Sequence, residues 1–169
     1  MIRLFPFVFI LLWSSAFITT KPIVDNSEPF SALAFRFLIV TIGFLIFSYF
    51  SKKEIIVSKK NIAESILTGV LFHGLYLGGV FYSISKGMPT GIAALIVTLQ
   101  PILTNILAGP LLNEQIGWKQ WLGITLGFIG AVLVLGFDIG ETIPISGVVA
   151  TFIALFAITG STIWQKKLS

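Results

Sequence analysis

Apolar residues along this chain come in long runs, and the polar residues between them come in short clusters. The runs extend from Leu4 to Thr20, Phe30 to Phe50, Ile62 to Ser85, Gly91 to Leu112, Gly117 to Phe137 and Ile145 to Trp164. Each is close to the roughly 20 residues that a helix needs to cross the hydrocarbon layer of a bilayer. The pattern therefore predicts six helical spans, and the short connections leave no room for a folded soluble domain. The fold class it implies is all-α and integral to the membrane, a polytopic transmembrane helix bundle of about six spans.

Composition agrees. Hydrophobic residues make up 56% of the 169 and charged residues 11%, a balance that a water-soluble core of this size could not use. Arg3 ahead of an apolar run ending in Ser14, Ser15 and Ala16 imitates a secretory signal. The run nevertheless contains Pro6 and Trp13 and continues to Lys21 and Pro22, so it reads as a retained span. The chain has no cysteine, which excludes disulfides, thiolate metal sites and thiol nucleophiles. No ligand cluster points to a metal, no motif points to a cofactor, and the single histidine has no serine partner at a fixed spacing, so no enzyme chemistry is expected.

Basic residues set the expected orientation, because short loops rich in lysine and arginine stay in the cytoplasm. With the N-terminus inside, Arg3, Lys52, Lys53, Lys59, Lys60, Lys119, Lys166 and Lys167 fall on the inner side, against Lys21 and Lys86 outside. Both termini are then cytoplasmic in a multi-pass protein of the plasma or inner membrane. The net charge of +4 is this topological signal and not a nucleic-acid footprint.

Polar residues inside the spans carry the functional expectation. With a helical rise of about 1.5 Å per residue, the third span has its midpoint at His73 and Gly74, and the fourth at Gln100 and Pro101. The first span has its midpoint at Leu12, beside Trp13 and Ser14, and Tyr76 lies about one turn further out. Polar groups at mid-depth are costly unless they face protein or water, so a common depth suggests an internal cavity. On the fourth span Gly91, Ala94, Thr98, Pro101, Asn105 and Ala108 form a small and polar stripe, and Pro101 is expected to bend the helix by removing the donor to the Val97 carbonyl. Arg36, about two turns into the second span, either snorkels to the outer surface or pairs there with Asp25 or Glu28, or else faces the cavity and attracts an anionic group. The candidate substrate-binding set is Trp13, Ser14, Arg36, His73, Tyr76, Thr98, Gln100 and Asn105. For Gln100 the competing role is a hydrogen bond to a neighbouring helix. The GxxxG pairs Gly74 with Gly78 and Gly123 with Gly127 predict close helix packing, Glu114 is placed to cap the fifth helix, and Trp118 and Trp121 suit an interfacial anchor.

The stretches "LLWSSAFITTKP", "ALAFRFLI" and "HGLYLGGVFYSISKGMPTGIAALIVTLQPILTNILAGPLLNEQIGWKQWLGITLGFIGAVLVL" resemble the EamA domain of the drug/metabolite transporter superfamily. The aromatic-Ser opening, the Arg-Phe pair, the Pro-x-Gly before the fourth helix, the mid-helix proline and the following glutamate come in the family's order. Trp13, Ser14, Arg36, Pro101 and Glu114 match its motif positions. The resemblance implies two inverted five-helix repeats around a central cavity, cytoplasmic termini, and a secondary transporter, commonly an exporter of amino acids or related metabolites. On this division residues 4–137 form one EamA-like five-helix repeat, and residues 144–169, whose "ITGSTIWQKK" resembles "WSSAFITTKP", supply the first helix of an incomplete second repeat. The expectation is a truncated half of a transporter. A half-size transporter acting as a dimer, a channel, or a non-transporting membrane scaffold are the alternatives. Expected partners are a small-molecule substrate, the lipid bilayer, and a second repeat or homo-oligomer.

Overall fold

The computed structural model describes residues 4–51, 58–112, 117–135 and 143–168. They form α1 (Phe5–Asn26), α2 (Pro29–Ser51), α3 (Lys59–Ser85), α4 (Thr90–Leu112), α5 (Trp118–Leu135) and α6 (Ile145–Leu168). Five of these are long and apolar enough to cross a membrane; α5, of 18 residues, ends where the description does. Among the described residues there is no strand, and the expected six-helix bundle is what the chain forms. Arg3, Lys52, Lys53, Glu114, Asp138 and Glu141 lie outside the described residues, and with them the cap expected of Glu114.

Local chemistry explains the ends and breaks. Glu28 accepts a hydrogen bond from the Ser31 N–H at 2.8 Å and caps α2; that donor is the main reason its carboxyl is held below the usual carboxylate range. Ser58 caps α3 through the Asn61 N–H. The α3–α4 turn is a Schellman motif, in which Gly87 N–H donates to Ile84 O and Met88 N–H to Ser83 O, with Gly87 at φ 90. The bend expected at Pro101 takes the form of a break. Helix α4 is interrupted between Val97 and Gln100, and Thr98 Oγ1 donates to the Ala94 carbonyl at 2.6 Å, a back-bond that bends helices. A second irregularity was not legible in the pattern: Val70–Leu77, in the middle of α3, is π-helical.

Helix α6 is the hub. It packs along α3 and α4, while α1 and α2 lean on the Gly78–Ser85 end of α3, and α5 touches the Thr90–Val97 half of α4. Small residues make this possible, since Gly147, Ala150, Thr151, Ala154, Ala157, Thr159 and Ser161 of α6 are all buried. Helices in lipid gain little from hydrophobicity and associate through close van der Waals packing and hydrogen bonds. A Cβ on Gly79 would lie 2.8 Å from the Ala150 carbonyl oxygen and 3.0 Å from Ala154 Cβ. Four residues on, Ser83 Oγ and Thr151 Oγ1 lie 2.7 Å apart and buried. Thr151 spends its one hydrogen on the Gly147 carbonyl at 2.8 Å, so Ser83 donates to Thr151.

Of the four glycines that the GxxxG spacing picks out, Gly78 alone meets another helix closely, and the tightest glycine contact, at Gly79, lies outside the pattern. Gly74, Gly123 and Gly127 have open space where a Cβ would go, and Gly78 meets the Phe30 ring at 3.3 Å. The spacing marks glycines on one face of a helix, and says nothing of what that face meets. Gly79→Ala is expected to lower the melting temperature of the detergent-solubilised protein, with about 1–3 kcal/mol lost to overpacking. Gly123→Ala should leave melting unchanged, and equal effects at the two positions would refute the assignment of the α3–α6 contact.

Candidate substrate cavity

A cavity of about 700 Å3 opens between α1, α2 and α3. From α1 it takes Trp13 and Phe17, from α2 Arg36, Phe37 and Thr41, and from α3 Phe72, His73 and Tyr76. The π-helical turns of α3 present Phe72, His73, Tyr76 and Leu77 together on this wall, a local geometry that recurs at functional sites. Trp13 and Tyr76 are nearly parallel, with an interplanar angle of 9° and centroids 6.3 Å apart. Phe72 stands edge-on to Tyr76 at 5.4 Å, and His73 sits between Phe37 at 4.9 Å and Phe72 at 5.1 Å. Edge-to-face and offset-stacked pairs of this kind hold an aromatic wall in place.

Arg36 brings the one formal charge of the wall. Its expected outer-surface partners are engaged elsewhere. Asp25 receives Lys21 at 2.9 Å, one turn away on its own helix, and Glu28 caps α2. Neither the Lys21–Asp25 pair nor the Lys60–Glu64 pair involves Arg36, which has no carboxylate partner among the described residues. The structure thus excludes the ion pair and places Arg36 in the lining of the cavity.

Four of the eight candidate residues, Trp13, Arg36, His73 and Tyr76, therefore share one cavity. The other four do not line it. Ser14 is exposed beside Trp13, Thr98 closes on the Ala94 carbonyl, and Asn105 is half-buried on α4. Gln100 Nε2 donates to Thr162 Oγ1 of α6 at 3.2 Å and reaches Thr104 Oγ1 at 3.4 Å, which is the competing role. The physical reason is that position along a helix fixes depth but not azimuth. Gln100, with Thr104 beside it, turns toward α6, Thr98 and Pro101 of the stripe are exposed, and the cavity is lined by α1, α2 and α3.

A second cavity, of about 790 Å3, lies between the first turns of α3 and the last turn of α6. Asn61, Glu64, Ser65, Thr68 and Gln165 make it polar, and Gly69, Phe72 and His73 belong to both cavities. The aromatic residues Phe37 and Phe72 and the second cavity were missed in the sequence, because 16 phenylalanines spread over every span but the fourth give little contrast.

A bundle of apolar helices around an aromatic, singly charged cavity defines a polytopic membrane protein. The EamA-like transporter family model matches residues 2–136, and the chain belongs to that family. It is 30% identical over 162 residues to the "Uncharacterized transporter YdfC" of Bacillus subtilis, covering 92% of this chain and 50% of that protein. It is 32% identical over 163 residues to the "Uncharacterized transporter YyaM" of the same organism, covering 92% and 50%. With the "Probable amino-acid metabolite efflux pump" of Salmonella typhimurium it shares 26% identity over 165 residues, covering 94% and 51%. The chain spans about half the length of these curated relatives. No solved structure matches it.

Gln100→Leu is expected to cost about 0.5–1.5 kcal/mol of stability through the lost α4–α6 hydrogen bond, with ligand affinity retained. Melting and binding measured on the same variant decide this. Unchanged melting with weakened binding would return Gln100 to the substrate.

Proposed function

We propose that this chain forms one repeat, with the first helix of the next, of a secondary transporter that exports small organic metabolites related to amino acids, and that the cavity between α1, α2 and α3 is its substrate site. One observation carries the reading: an arginine without a carboxylate partner faces an aromatic cavity inside a bundle of membrane-spanning helices. Intramembrane charge is retained where it serves a pathway or a ligand. Membership of the family and the names of the relatives supply the transport activity and the amino-acid class. In this reading Arg36 attracts the anionic group, Trp13, Tyr76 and Phe72 give apolar surface, and His73 orients a polar group at the wall shared by both cavities. The transport unit has two repeats, in keeping with relatives of twice the length, and sites of such transporters form near mid-membrane where repeats meet.

The orientation belongs to the same reading. Lys59, Lys60, Lys166 and Lys167 gather at the end of the bundle that holds the second cavity, and the positive-inside tendency places that end in the cytoplasm. Both termini are then cytoplasmic.

Two measurements test the proposal. In membrane vesicles holding the complete two-repeat unit, Arg36→Gln should weaken saturable transport of a labelled carboxylate metabolite about 10- to 100-fold in apparent affinity, the size of a lost hydrogen bond to a charged group. Unaltered transport would remove Arg36 from the site. For orientation, Ser27→Cys should react with an impermeant maleimide in intact cells and Ser58→Cys only after permeabilisation, an unambiguous pair in a cysteine-free chain; the opposite pattern would invert the topology.

A further inference from the structure

Charge balance in the cavity narrows the substrate beyond an amino-acid metabolite in general. Among the described residues, the wall holds one guanidinium and no carboxylate. Asp25 and Glu28 are engaged at the α1–α2 turn. Glu64 opens into the second cavity, with Lys60 at 3.8 Å. A guanidinium offers five donors in a planar fork that suits a carboxylate, so an anionic ligand satisfies both the charge and the geometry.

A free amino acid brings a second charge. Its ammonium sits one carbon from the carboxylate, so seating the carboxylate on Arg36 holds the ammonium within about 5 Å of the guanidinium. At that range like charges repel by several kcal/mol at the low effective dielectric of a partly desolvated site. The wall has no carboxylate to offset this, and its neutral acceptors are a poor replacement for water around a primary ammonium. A 2-oxo acid, an N-acylated amino acid or a simple aryl carboxylate avoids the penalty. The parallel Trp13 and Tyr76 rings, with Phe72 edge-on, complement the flat apolar end of such a molecule.

We infer that the cavity selects organic monocarboxylates that carry a planar apolar group and lack a free ammonium. The inference rests on the reading of this cavity as the substrate site. Three compounds with the same phenyl group separate the contributions: 3-phenylpropanoate has the carboxylate alone, phenylalanine adds the ammonium, and phenethylamine has the ammonium alone. Titrated calorimetrically into the 169-residue protein in lipid nanodiscs at neutral pH, 3-phenylpropanoate should bind at least about tenfold more tightly than phenylalanine, and phenethylamine should bind more weakly still. Arg36→Gln should abolish the order and Arg36→Lys should keep part of it, the lysine variant covering the case in which the glutamine variant fails to fold. Phenylalanine binding as tightly as 3-phenylpropanoate, or phenethylamine binding best, overturns the inference while leaving the cavity as the site. If none of the three binds, or binding ignores both Arg36 variants, the site reading itself falls and takes the inference with it.

Discussion

The close approach of α3 and α6 at Gly79 is the contact on which the arrangement turns. There the Ala150 carbonyl and Ala154 methyl occupy the space where a side chain would project, and Ser83 and Thr151 tie the two backbones one turn further along. In lipid no solvent drives helices together, so a contact of this kind must come from small residues and satisfied polar groups. Once α3 is fixed against α6, its opposite face is free to receive α1 and α2 and to wall a cavity with them. The π-helical segment then departs from the regular ladder where that face meets the cavity. The cavity is in this sense a consequence of a contact on the far side of the same helix.

Length and hydropathy were enough to read the six helices, because the bilayer imposes one length on every span and leaves only helices to fill it. Depth was legible for the same reason. Helical rise alone put Trp13 and His73 on one level, with Tyr76 about one turn further out, and all three face one cavity. Azimuth was not legible. Gln100 shares the depth of His73 but turns toward Thr162, and nothing in a span that is apolar on most sides announces which side meets which neighbour. The GxxxG pairs were informative only in part: Gly78 meets Phe30 of α2, Gly74, Gly123 and Gly127 have nothing within 4 Å of an added Cβ, and Gly79, at the α3–α6 contact, was passed over beside Gly78. The π-helix escaped notice because "VLFHGLYL" is as apolar as any α-helical span, and its extra residue per turn leaves no mark on composition.

Arg36 shows how a structure decides between roles that a sequence leaves open. Its spacing from Asp25 and Glu28 allowed an outer-surface ion pair. The pair does not form because each carboxylate has a nearer claim on it, an i,i+4 lysine for Asp25 and a helix N-terminus for Glu28. Short-range partners on the same turn cost little chain entropy to engage, whereas an arginine two turns into the next helix would have to bend back to compete. The guanidinium is left facing the cavity by default of alternatives as much as by design of the wall.

The two cavities differ in chemistry and share a wall. One is aromatic with a cationic group, the other polar with a carboxylate at its edge, and Gly69, Phe72 and His73 separate them. Those residues lie in or beside the π-helical segment, the part of α3 whose backbone ladder is least regular. Phe72 and His73 therefore belong at once to both cavity walls and to the segment where the α3 backbone departs from the regular ladder.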